Sequence, residues 1–108
     1  MLNFIKTWLA DQAVRRQLQS IKTAVDSRIT YEDGGFNDWK YIPVDQTAYG
    51  DCQVFTETYR KQAEYAGFTA VRHTYKLPDG QWHAVCCVRT DNGTYVIDCR
   101  KKYVEKES

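Results

Sequence analysis

The chain has 108 residues, 43% of them apolar and 14% aromatic. That composition suits one domain (residues 1–108) with a single core and excludes a disordered chain. Fifteen Lys and Arg against 14 Asp and Glu leave a net charge of +1, too weak a field to steer the chain to nucleic acid or to an anionic membrane. Lys6 and Asp11 interrupt the apolar stretch at the start, so no secretory signal is expected. No run approaches the roughly 20 apolar residues needed to span a bilayer. A cytoplasmic, reducing setting follows as the expectation, with Cys52, Cys86, Cys87 and Cys99 as thiols. Cys86 and Cys87 are adjacent and would face opposite ways on a strand, and no Cys-x-x-Cys spacing exists. No metal site and no cofactor are therefore expected.

Residues 1–28 read as a helix. Val14, Leu18, Ile21 and Val25 recur at helical spacing, with Arg15, Arg16 and Lys22 off the stripe. Ile5, Trp8 and Leu9 extend the apolar face backwards, and the whole stripe is expected to pack on its own domain. Residues 30–38 break the pattern with turn residues, and Pro43 keeps the segment through Trp39 and Tyr41 extended. The second helix, 51–67, is better defined. Asp51 is a good N-cap, Cys52, Phe55, Tyr59, Ala63 and Ala66 share one face, and Gly67 stands where a left-handed residue is wanted. Cys52 then lies in the first turn, where free N–H groups and the helix dipole are expected to lower its pKa from about 8.5.

Three strands are expected over 68–99, at 68–76, 82–89 and 94–99, separated by Leu77-Pro78-Asp79-Gly80 and Thr90-Asp91-Asn92-Gly93. The last two should form an antiparallel hairpin whose register decides the chemistry. If Arg89 pairs with Thr94 across a four-residue loop, Val85 lies opposite Asp98. His83 and Asp98 then become diagonal neighbours about 7–8 Å apart, within reach of an imidazole–carboxylate bond. An Asn92-Gly93 turn would separate them along the strand, and a three-residue loop would put them on opposite faces. An acid between Ile97 and Cys99 is costly unless paired, which is a reason to seek a partner such as His83. His73, mid-strand with no acid in register, reads as structural or surface. Residues 100–108, with Arg100-Lys101-Lys102 followed by Glu105 and Glu107, read as a charged, solvated tail.

Thiol hydrolysis needs a thiolate, a base, a group that orients the base and a donor for the oxyanion. Cys52, His83, Asp98 and Gln46 supply one of each. Val25 to Tyr31, Asp38-Trp39-Lys40-Tyr41-Ile42-Pro43, Gly50-Asp51-Cys52, His83-Ala84-Val85 and Val96-Ile97-Asp98 together resemble the bacterial transglutaminase-like cysteine peptidases over roughly residues 18–99. The chain's length is compatible with a short phage-encoded member.

The resemblance implies an α+β, papain-like or transglutaminase-like core, with an N-terminal helix and a nucleophile-bearing helix packed on a small antiparallel sheet. It implies Cys52 as nucleophile, His83 as base, Asp98 as orienter and Gln46 as the oxyanion-hole glutamine. The acidic pair that follows the family's nucleophile is Gln53-Val54 here, so the acids that bind calcium in adhesin-cleaving members reduce to Asp51. Trp39, Tyr41, Tyr49 and Trp82 flank the motifs as candidate substrate-groove residues. The expected activity is cysteine peptidase hydrolysis of a protein or peptide substrate through a thioester. A deamidating or transglutaminase-type acyl transferase and a non-catalytic protein-interaction module on the same fold are the alternatives.

Overall fold

Residues 2–34 and 38–107 are described by a computed structural model; residues 35–37 of the turn-rich 30–38 stretch lie outside the described residues. Helix α1 runs Leu2–Arg28. Its predicted stripe enters the core, with Leu18 and Val25 fully buried and Val14 and Ile21 packed beside them. The backward extension does not. Phe4, Ile5, Trp8 and Leu9 are exposed, so the packed face of α1 starts later than the apolar pattern suggested.

Helix α2 spans Cys52–Tyr65. Asp51 caps it, its carboxylate accepting from the Gln53 and Val54 N–H groups at 3.0 and 3.3 Å, which satisfies two of the helix's orphan donors. The helix stops because Gly67 (φ +94°) takes the left-handed turn and Phe68 N–H returns to the Ala63 carbonyl at 2.9 Å. Two short strands missed by the periodicity, β1 (Ile29–Tyr31) and β2 (Ala48–Gly50), pair in parallel with Tyr31 opposite Gly50. Gly50 is required there, since a Cβ would sit 2.5 Å from Val54 Cβ.

The main sheet has the order β3-β4-β5-β6 and is antiparallel throughout. Its strands are β3 (Thr69–Lys76), β4 (Trp82–Thr90), β5 (Gly93–Ile97) and β6 (Glu105–Lys106). The β4–β5 register has Arg89 opposite Thr94, the one that makes His83 and Asp98 diagonal neighbours. The ladder continues one step further than expected, to Thr90 and Gly93, so the loop shrinks to Asp91-Asn92 without changing the register. α2 packs on β4 and β3, and α1 packs on α2. Residues after Asp98 are not a loose tail. Val104 is buried, its N–H donates to Gln19 at 2.8 Å, and β6 closes the sheet edge against β5. Among the described residues no helix is long and apolar enough to cross a membrane.

Candidate active site

Cys52 is the first residue of α2, directly after its cap, and lines a cleft of about 320 Å³ together with His83, Ala84, Trp82, Gln81, Tyr31 and Arg100. The end of β4 forms the opposite wall. His83 is 1% exposed, and its Nε2 lies 2.8 Å from Asp98 Oδ1. With Nε2–H donating to the carboxylate, the imidazole keeps its basic lone pair on Nδ1. Nδ1 is buried and has no partner among the described residues. A buried polar atom left unpaired is costly, so this one marks a position held ready for a proton. Tyr75, opposite His83 in the sheet, packs edge-on at 5.6 Å and fixes the ring's plane. Asp98 follows β5 and also accepts the Arg100 backbone N–H at 2.9 Å. It lines a second cavity and not the cleft, so it stands behind the histidine.

The thiol does not behave as the helix dipole alone would have it. Burial pushes the Cys52 thiol up and outweighs the Ala84 N–H, Arg100 and its own N–H, which pull it down. The expected lowering is thus reversed, because desolvation of a thiolate outweighs one helix end. The Cys52 thiolate therefore needs a proton acceptor rather than standing preformed.

Gln46 departs from its predicted role. It is exposed, lies in the turn closed by its own N–H to the Pro43 carbonyl at 3.1 Å, and is not among the residues lining the Cys52 cleft. The papain spacing of six residues presumes a loop folded back onto the nucleophile; here the intervening residues form β2 instead. Of the four groove aromatics, Trp82 lines the cleft. Trp39 lines an adjoining groove with Gln53, Thr74 and Trp82, held there by the Arg72 guanidinium 4.4 Å above its ring. Tyr49 lines a separate recess beside Asp51 and Val54. Tyr41 accepts from Gln62 at 2.8 Å and braces α2, and His73 is exposed on β3. Tyr31 and Arg100 were missed as site residues. Tyr31 sits on an unrecognised strand and Arg100 in the presumed tail, although its place two residues after Asp98 was a usable signal.

The family model of bacterial transglutaminase-like cysteine proteinases matches residues 5–108. The chain belongs to that family. The fold is also similar to that of a solved structure, a "Putative Cysteine Protease from Cytophaga hutchinsonii", at a TM-score of 0.58 and 16% identity. The match covers 82% of this chain and 34% of that one, so the chain spans about a third of that protein's length. No curated protein matches the chain. The mixed helix and sheet architecture is the expected α+β fold.

Calcium, used by adhesin-cleaving members, does not fit the residues present. Asp51's carboxylate oxygen is committed to capping two N–H groups, and Gln53 is neutral, with its amide oxygen accepting from Asp38 N–H at 3.0 Å. Val54 is buried and apolar. A hard cation needs several free oxygens, and this turn does not offer them.

Proposed function

We propose that this protein is a cysteine peptidase that hydrolyses an amide bond of a protein or peptide through a Cys52–His83–Asp98 relay and a Cys52 thioester. The observation that carries the reading is the His83 Nε2–Asp98 bond at 2.8 Å with Nδ1 left without a partner, on a residue that shares a cleft with Cys52. His83 Nδ1 takes the thiol proton as the sulfur attacks the carbonyl carbon. The imidazolium formed is stabilised by Asp98, which also holds the ring in the tautomer the step requires. His83 then protonates the leaving amine, and water, deprotonated by the same nitrogen, cleaves the thioester. Because burial raises the Cys52 thiol, the ion pair forms with the substrate bound rather than before it. Arg100, which favours the Cys52 anion, supports the charge as it develops.

The test is incubation of wild type, Cys52→Ala and His83→Ala with a peptide library, read by mass spectrometry. New chain termini are the expected product in wild type alone. A one-dalton gain without cleavage would assign the acyl-enzyme to deamidation, and crosslinks would assign it to an amine acceptor. Cleavage persisting in Cys52→Ala would end the reading.

A further inference from the structure

A thioester mechanism needs two donors at the oxyanion, and with Gln46 outside the cleft only one is accounted for. That one is the Cys52 backbone N–H. It is a first-turn group with no intrahelical acceptor, and the Asp51 cap is spent on Gln53 and Val54. Among the cleft residues, Gln53 is anchored through its amide oxygen on Asp38 N–H and is shared with the Trp39 groove. Gln81 and Trp82 belong to the β3–β4 turn and the adjoining strand end, and are exposed.

Tyr31 is different. β1 is locked beside β2 with Tyr31 opposite Gly50 and Glu32 N–H on the Gly50 carbonyl at 2.9 Å, which fixes it two residues from the nucleophile's own position in the chain. Its ring stacks at 6.2 Å on Phe55, one turn along α2 from Cys52 on the same face. Tyr31 is 46% exposed and lines the cleft, so its packed side is held while the rest meets the open space.

We propose that Tyr31 is the second oxyanion donor of the Cys52 centre, its phenol O–H acting with the Cys52 backbone N–H in the place assigned to Gln46. The inference rests on the relay proposed above and names one more of its parts. As the Cys52 sulfur bonds to the carbonyl carbon, the C=O π pair moves onto oxygen. That oxygen accepts from Cys52 N–H and Tyr31 O–H. When the C=O bond re-forms, the pair returns and the leaving group departs with its bonding electrons. Burial first, and then the Cys52 charge, raise the Tyr31 pKa, so the phenol stays protonated at neutral pH and remains a donor. Arg100 opposes that rise, which makes the phenol a stronger donor than burial alone would leave it.

Two reagents separate this role from thiol activation and from folding. p-Nitrophenyl acetate acylates Cys52 through an oxyanion and releases p-nitrophenolate; iodoacetamide alkylates the same sulfur by displacing iodide, with no oxyanion. Cys52→Ala supplies the background from the other three cysteines. In Tyr31→Phe, which keeps the ring on Phe55, acylation is expected to fall about 100-fold while alkylation stays at the wild-type rate. In Gln46→Ala both rates are expected to stay at wild type. Unchanged acylation in Tyr31→Phe, an equal fall in both rates, or a selective fall in Gln46→Ala would each overturn the assignment while leaving Cys52 as the nucleophile. Wild type reacting no faster than Cys52→Ala with either reagent would instead remove the relay itself.

Discussion

Two polar clusters border α2, and they are built to different rules. Between α1 and α2, Lys22 (1% exposed) pairs with Asp26 at 2.7 Å. The Tyr59 hydroxyl donates to the same carboxylate, and the Lys22 ammonium lies 3.5 Å from the Tyr59 oxygen. Every member has a partner. At the end of β4, His83 is buried as deeply but bonds only through Nε2, and Nδ1 is left open. A closed cluster ties elements together, whereas an open one keeps a valence for substrate at some cost in stability. The distinction is chemical, and mutations can pull it apart.

The largest expected effect lies in the open cluster. His83→Gln, whose amide can still donate to Asp98 but cannot act as a base, should reduce peptide hydrolysis by roughly 10⁴-fold, the upper range for losing a general base, with little change in the urea midpoint. The closed cluster should show the converse. Asp26→Ala leaves the Lys22 ammonium buried beside a phenol. It should cost about 1–3 kcal/mol, as leaving a buried donor without its partner does, while iodoacetamide alkylation of Cys52 in the folded protein keeps its wild-type rate. Denaturant titration alongside alkylation kinetics measures both, and a variant that moved both readouts together would erase the contrast. A smaller effect is expected of Asp98→Asn. An amide can still hold the imidazole but no longer balances its positive charge, so kcat should drop by about 10²-fold with KM held.

These contrasts also explain which parts of the molecule were legible in the sequence. The His83–Asp98 bond followed from counting residues around a hairpin, because a strand's period leaves one register that brings them together. Asp51 and Gly67 announced both ends of α2 by local chemistry. What stayed hidden depends on distant packing. A parallel pair of three-residue strands has too short a pattern to read, and it carries Tyr31 into the cleft and Gln46 out of it. Val104, the one aliphatic residue among the charges of the last segment, was a hint that the segment returns to the sheet and leaves Arg100 at the site. The direction of the Cys52 shift could not be seen either, since it depends on how much of β4 covers the helix start.

The four thiols extend the comparison to pH. Burial pushes Cys86 and Cys99 up to about 12 from an ordinary 9, so the folded protein holds these protons more tightly than the unfolded chain. Between those values the unfolded state binds fewer protons than the native one, and stability must fall as pH rises. The contribution is complete below about pH 9 and fades toward pH 12, at a slope of up to about 1.4 kcal/mol per pH unit for each thiol. At neutral pH the slope is nil. Tyr95, raised to about 12 by burial and its bond to Asp11, adds the same sign above pH 10. Cys86→Val, which keeps an apolar side chain inside the core, should flatten the alkaline slope measured by urea titration at pH 8, 9 and 10. Cys52→Ala should flatten it less, because Cys52 is only partly covered. An equal flattening from the two variants would mean that Cys52 is as closed as Cys86, and that the open cluster is not open at its sulfur.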